Sequence, residues 1–499
     1  MKYTTVFNNQ TIPISRIREI SYPEFFDLNA GFVRDSPERH CVSYFGYPCD
    51  GKIKLICCIA DDATHVINVS ACKVHPTDSL ASMAAENFCF EKFEREIHEN
   101  FGIGFTGHPW LKPLRYAHNR SDLMQTIAGY PFYSIRSEEL HEVGVGPIHA
   151  GVIEPGHFRF ICNGEQILHL EIQLGYQHRG IEALFLRKTN LSERVQIAES
   201  IAGDNVAGHT IAFASVWESL CGYKAPAEVD FSRTVALELE RIAVHTGDLS
   251  AACADVAYQL GGAVFGRLRT PVINFLQEWC GNRLAKGLIR PGKNQFPLTP
   301  SLAQRLIEVL NLFEPEFNEM NTELFRMPSA LSRFERTGTV SLENTLSVGS
   351  VGMAARASGL SRDIRSSHPH SLYPELNHEP IVKRHGDVYS RLQIRKQEVP
   401  QSIGYIRELM TRLPDGNTNT EPSGLPEPDS FAISLVEGWR GEICHCAITG
   451  TRGELVMYKV KDPSFHNWMA LAMAVRNNEI SDFPICNKSF NLSYCGHDL

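Results

Sequence analysis

The segment Gly146–Glu182, GPIHAGVIEPGHFRFICNGEQILHLEIQLGYQHRGIE, concentrates residue types that hold and move protons. His149 and Glu154 lie among Gly and Pro turns at its start, and His178, Arg179 and Glu182 close it. Between them apolar and polar residues alternate, as in paired strands. Side chains at strand ends and turns can converge on one cleft, where imidazole and carboxylate groups relay protons or bind an acceptor. The plainer reading of the same residues is structural: satisfied histidines, and a salt bridge from Glu182 to Arg179 or another arginine.

At 499 residues the chain exceeds one ordinary core, so at least two domains are expected. An apolar share of 43% and a charged share of 21% fit a soluble globular protein. The net charge of −9 argues against nucleic acid as a partner. No apolar run approaches the roughly 18–20 residues that span a bilayer, and the N-terminus has no apolar signal core. The expected location is therefore the cytoplasm, with docking on a membrane partner. The 14 cysteines include no CxxC spacing. They are expected to be reduced and buried, and an iron–sulfur cluster held by this chain alone is not expected. No GxGxxG follows an expected strand, so no dinucleotide site is expected.

The elements that must position these groups fall into two units. Residues 1–135 read as an α+β unit, with strands at Ile53–Asp61 and Val66–Val74. Glu86–Phe101 reads as an amphipathic helix, with Phe93, Ile97 and Phe101 on one face, Glu94, Arg95 and Glu96 on the other, and Gly102 as its stop. Residues 136–145 are polar and read as a linker. Residues 146–499 read as a small sheet followed by a mostly helical bundle. Helices are expected within Gln196–Leu220, Arg233–Leu249, Ser250–Arg267, Ser301–Leu312 and Asp387–Arg412. The many small residues of Gln196–Leu220 let helices approach closely. Leu413–Ser430, rich in Pro, Gly, Asn and Thr, reads as a surface loop.

Longer patterns carry a resemblance. FEKFEREIHENFGIGFTGHP resembles the signature of the scaffold subunit that sits beside the large subunit of respiratory complex I. From residue 146 to its end the chain resembles that large subunit, which complex I shares with the membrane-bound, energy-converting [NiFe] hydrogenases. RASGLSRDIR (Arg356–Arg365) and GDVYSR (Gly386–Arg391) resemble further large-subunit motifs and imply buried ion pairs that hold helices at a cleft. The resemblance implies a fusion of the two subunits, an α+β domain followed by a [NiFe] hydrogenase large-subunit-like helical bundle with a small sheet.

It also shows what is missing. The hydrogenases hold nickel and iron with two CxxC pairs, because those metals are soft and redox-active. In ESIAGDNVAGHT the cysteine positions are Ala202 and Asn205, and in SFNLSYCGHDL they are Ser493 and Gly496, with Cys495 one residue out of register. The resemblance therefore implies no nickel–iron centre. Complex I places a quinone between a histidine and a tyrosine. His149 matches that histidine, but the tyrosine aligns with Gly203 and a second histidine becomes Ile153. Glu154 matches a proton-transferring acid, and His209 a family histidine. Arg440 of VEGWRGEICH matches an arginine that overhangs the metals, with Trp439 in place of proline. Glu182 matches a ligand of a structural divalent ion, which implies magnesium.

The expected catalytic set is Glu154, His149, His209, Asp204 and Arg440, with His178 and Arg179 as cofactor-binding groups. The expected partners are a small iron–sulfur subunit, membrane-embedded subunits and a quinone-like acceptor, on the cytoplasmic face of the cell membrane. Two alternatives stay open: a non-catalytic coupling scaffold, and a true hydrogenase or complex I subunit.

Overall fold

The structure, a computed structural model, describes residues 2–151, 153–414, 422 and 425–499. Residues 415–421 and 423–424, half of the loop expected between Leu413 and Ser430, therefore lie outside the described residues.

Strands β1 (Thr4–Val6) and β2 (Gln10–Pro13) lead into helix α1 (Tyr22–Asp35), which a reciprocal Ser21–Glu24 capping box starts. Strands β3 (Arg39–Cys49), β4 (Lys52–Asp61) and β5 (Val66–Val74) follow. Asp50 and Gly51, with φ of 52° and 73°, make the tight turn that joins β3 to β4. The resulting antiparallel sheet runs β1-β5-β4-β3. Strand β6 (Ser79–Ala81), helix α2 (Glu91–Phe101) and strand β7 (Gly104–Thr106) complete this part. Gly102, at φ 78°, ends α2 in the left-handed conformation that glycine adopts without strain.

Phe93 and Ile97 of α2 face the sheet, as their spacing requires. The charged face of α2 is buried too, because the rest of the chain covers it: Glu96 pairs with Arg115 and with Lys459, whose ammonium is 2.5 Å away.

The second part opens with β8 (His141–Val145), β9 (His157–Asn163) and β10 (Gln166–Gln173), an antiparallel sheet in the order β10-β9-β8. The stretch expected as a linker thus ends in a paired strand. Helices α3 (Ile181–Arg187), α4 (Leu191–Ala198), α5 (Val206–Leu220), α6 (Ala227–Asp255) and α7 (Gln259–Cys280) come next. The single helix expected over Ser250–Arg267 is broken between α6 and α7, where Ala257 takes φ 59° and the chain reverses. The two helices lie close because Gly261 leaves room for the Cys253 thiol, which a Cβ there would meet at 2.7 Å.

After α8 (Pro300–Leu324) and the short helices α9 (Pro328–Phe334), α10 (Leu342–Val348), α11 (Gly352–Ala357) and α12 (Ile364–Ser367) comes the long α13 (Val388–Met410). Strands β11 (Ser430–Glu437), β12 (Glu442–Thr449) and β13 (Leu455–Lys461) then form a meander. Helices α14 (Ser464–Ala474), α15 (Phe483–Phe490) and α16 (Tyr494–Asp498) close the chain.

The molecule is α+β, as expected. Packing, however, crosses the expected boundary near residue 135. Strand β2 pairs with β11, Ile12 opposite Phe431, and extends the meander into the order β13-β12-β11-β2. Val6, Ile12 and Phe45 share one apolar core with Phe431, Ile433 and Cys446.

The RASGLSRDIR arginines form the buried pairs the resemblance implies. Arg356 meets Asp363, Glu398 and Glu437 at 2.9, 2.7 and 2.8 Å, and Arg365 meets Asp363 and Glu398 at 2.7 and 2.8 Å. Removing one partner of such a set leaves an uncompensated buried charge, which typically costs about 3–5 kcal/mol. GDVYSR works differently. Asp387 caps α13 through the Ser390 amide, and Arg391 bonds the carbonyls of Gly386 and Gly338 and the Ser489 hydroxyl.

Candidate functional site

The turn before α5, the β11–β12 turn, the start of α14 and the last residues of the chain meet in one region. The β11–β12 turn, Gly438–Gly441, is held against α11 by backbone contact. A Cβ on Gly352 would lie 2.1 Å from the Cα of Gly441, so neither position tolerates a side chain. This fixes Trp439 and Arg440. The Arg440 guanidinium grips Asp204 through both oxygens, at 2.7 and 2.5 Å, and its Nε bonds the Asn491 carbonyl. The guanidinium lies 4.0 Å from the centre of the Trp439 ring, whose indole N–H bonds the Asp204 carbonyl at 2.7 Å. Trp439 is fully buried.

Behind this pair runs a chain of buried polar groups. Asp462 Oδ2 lies 3.0 Å from His209 Nε2, His209 Nδ1 lies 3.1 Å from His445 Nε2, and His445 Nδ1 lies 2.8 Å from the Tyr458 hydroxyl. Burial alone would raise the Asp462 carboxyl, but the His209 hydrogen bond and the Arg440 charge bring it down to about 2. Burial, with His209 adjacent, pushes the His445 imidazole well below its ordinary value, so His445 is neutral. A neutral imidazole between two hydrogen-bonding partners can accept a proton on one nitrogen and release one from the other.

Asp462 and Tyr458 lie in no motif of reactive spacing, and His445 closes the VEGWRGEICH stretch without being marked as reactive by its spacing. Glu240, inside the helix expected over Arg233–Leu249, is not singled out by any motif either. Glu240 accepts hydrogen bonds from the amides of Ala207 and Gly208, at 2.8 and 3.4 Å, at the start of α5. Burial, followed by the neighbouring Asp204 charge, pushes it up to about 8, so it carries a proton at neutral pH. A carboxyl standing in a helix stripe beside Arg241, His245 and Asp248 was the available signal.

The positions of the missing thiolates are filled. A Cβ on Gly496 would lie 2.7 Å from the Asp462 carboxyl carbon, so the carboxylate stands where a side chain would project. Asn205 is fully buried and wedged where Cβ atoms on Gly208 and Gly438 would come within 2.7 and 2.9 Å of it. Ser493 caps α16 through the Gly496 amide, and Ala202 is fully buried.

The remaining expected residues lie along the same C-terminal segment. Glu154 accepts the Cys495 amide at 3.4 Å, and Arg179 bonds the Cys495 carbonyl at 3.0 Å and the Ile201 carbonyl at 2.8 Å. Burial, then the Glu154 charge, pushes the Cys495 thiol up to about 11, so it carries its proton at neutral pH. His178 bonds the Asp498 carbonyl at 2.8 Å, and burial lowers its imidazole. Thus His209 bonds Asp462, whose charge Arg440 senses while gripping Asp204, and Glu154 and Arg179 bond Cys495. His149 bonds the Gly156 carbonyl at 2.8 Å in its own loop and reaches none of the others by a hydrogen bond.

Glu182 does not fit the magnesium expectation, nor a bridge to arginine. The Lys459 ammonium lies 3.0 Å from its Oε1, which also accepts the Val460 amide. A lysine thus supplies the positive charge there. Among the described residues no group of three His, Cys, Asp or Glu side chains is arranged to hold a metal ion.

Residues 261–429 match the family described as respiratory-chain NADH dehydrogenase, 49 Kd subunit. The carbon monoxide-induced hydrogenase of Rhodospirillum rubrum is 28% identical over 352 residues, covering 70% of this chain and 97% of that protein. Formate hydrogenlyase subunit 5 of Escherichia coli is 29% identical, covering 80% and 74%. The C/D protein of the NADH-quinone oxidoreductase of Phocaeicola vulgatus is 27% identical, covering 78% and 81%.

This chain is similar to the large subunits of complex I and of the hydrogenases.

The same fold occurs in a chain of the membrane-bound sulfane sulfur reductase, an archaeal respiratory membrane complex. The TM-score is 0.68 at 20% identity, covering 74% of this chain and all of that one. Among the described residues, no helix is long and apolar enough to cross a membrane. The relatives named above are oxidoreductase subunits, which supports membership of an oxidoreductase-related complex.

Proposed function

We propose that this chain is a core, peripheral-arm component of a complex I-like membrane oxidoreductase. It stands on the cytoplasmic face, between a small iron–sulfur partner subunit and membrane-embedded partners. Electrons pass from the iron–sulfur partner to a quinone-like acceptor, and the cleft couples that transfer to ion movement by taking up and releasing protons. The observation that carries this reading is the Asp462–His209–His445–Tyr458 chain, buried behind the Asp204–Arg440 pair at the filled thiolate positions. Polar groups arranged in this way bind protons, not nickel. Glu240, protonated at neutral pH and beside Asp204, is a ready donor.

A second reading, a non-catalytic coupling scaffold, is favoured by one observation. The space beside Asp204 and Glu240 amounts to about 20 Å³, room for a single water. On this reading the acceptor binds elsewhere in the complex and the buried charges transmit its redox state.

The test is anaerobic purification of the intact complex with elemental analysis, then reduction assays with quinones and viologens. Quinone reduction without nickel supports the reading. Stoichiometric nickel with hydrogen uptake overturns it.

A further inference from the structure

A cavity of about 260 Å³ lies away from the Asp204–Arg440 cleft, where the two halves of the molecule meet. One side comes from α2 and the loop that follows it, the other from β10 and α14. Trp110, Tyr130 and Trp468 give it aromatic walls, and Met469 and Met473 add polarisable ones.

Its polar lining is short of partners. The Lys92 side chain is buried, and its nearest carboxylate oxygen, on Glu91, is 3.8 Å away, beyond hydrogen-bond reach. Burial pushes the ammonium down to about 8. Glu171, the carboxylate in the wall, is already committed to Lys112 at 2.6 Å and to the Tyr133 amide at 2.8 Å. His497, 2% exposed, bonds Asp498 through Nδ1 at 2.9 Å and leaves Nε2 without a partner, and the buried Tyr130 hydroxyl is likewise unpartnered. A neutral imidazole that donates from Nδ1 presents Nε2 as an acceptor.

We propose that this cavity is a second ligand site, for a small aromatic carboxylate that also carries an O–H or N–H group. The carboxylate meets the Lys92 ammonium, the ring lies between Trp110 and Trp468, and the O–H or N–H donates to His497 Nε2. Apolar walls with a few convergent, unsatisfied polar groups are the usual make-up of a small-molecule site. Because the lining comes from both halves, an occupant would clamp α2 against α14. The site does not depend on the reaction assigned to the cleft.

The probe is 6-hydroxy-2-naphthoate, titrated calorimetrically into the full-length chain beside its uncharged carboxamide. Saturable one-to-one binding of the acid is expected, with the carboxamide weaker by at least about tenfold. Lys92→Met should weaken the acid to the level of the carboxamide. Ala472→Phe, which fills the cavity from α14 and leaves Lys92 in place, should abolish binding of both. Thermal unfolding of each variant checks its fold. The proposal is overturned if the wild-type chain shows no saturable binding at millimolar probe, if acid and carboxamide bind equally, or if the folded Ala472→Phe chain binds as wild type does.

Discussion

Asp462 and the residue at position 496 compete for one volume. Restoring cysteine at 202, 205, 493 and 496 together should not restore nickel binding, because the new Cβ at 496 meets the Asp462 carboxyl at 2.7 Å. Elemental analysis of the quadruple variant checks this, and nickel at one per chain would show that the cleft still accepts metal. Glu240 gives a pH signature. Its value of about 8 lies above the ordinary 4.5, so the stability it contributes is complete below about pH 4.5 and is lost as pH rises through 8. Glu240→Gln keeps the size and one of the two acceptor oxygens and should remove that loss, a slope of at most about 1.4 kcal/mol per pH unit. Urea unfolding of both proteins at pH 6 and pH 9 measures it; parallel declines would mean that Glu240 is ionised in the fold. Glu154→Gln should leave assembly intact and, if Glu154 exchanges protons, lower turnover by about 10²–10⁴-fold. Rate assays on the assembled complex decide, and a wild-type rate removes Glu154 from the mechanism.

At the scale of elements, local signals read well. Strands β4 and β5, the Gly102 stop of α2, the first half of α8 and the long helix α13 follow from alternation, helical period and capping, all set by near neighbours in sequence. What was hidden depends on distant partners. The charged face of α2 looks solvated in sequence, yet Lys459 and Arg115 neutralise Glu96 inside the molecule. Strand β2 is too short to be read by alternation, and its partner β11 lies over 400 residues away. The site shows the same division. His209, Asp204 and Arg440 were legible because motif neighbours flank them. Asp462 and Tyr458 were not, because only folding aligns them with His445, which closes the same VEGWRGEICH stretch as Arg440. The β2–β11 pairing has a direct test. Ile12, 2% exposed, sits in the shared core, so Ile12→Ala should cost about 2–5 kcal/mol. Denaturant unfolding followed by circular dichroism and by tryptophan fluorescence should shift together. Separate transitions for the two halves would show that the core is not shared.

At the scale of the whole molecule, buried ion pairs hold the frame, and groups that titrate stand where the resemblance places thiolates. Asp363, Glu398 and Glu437 still tie Arg356 and Arg365 together, which holds α11, α12, α13 and β11 around the cleft. A rigid frame of this kind keeps the Asp462–His209–His445–Tyr458 spacing constant while charge in the cleft changes. The measurement that separates a proton-handling cleft from a scaffold is redox-driven ion translocation by the intact complex in sealed vesicles, with Asp462→Asn compared with wild type. Asparagine keeps the size and one acceptor but carries no charge and cannot take up a proton. Assembly unchanged, with translocation and acceptor reduction both lowered by about 10²-fold or more, is the expected result. Wild-type translocation by a fully assembled Asp462→Asn complex would contradict it and leave the cleft as packing alone.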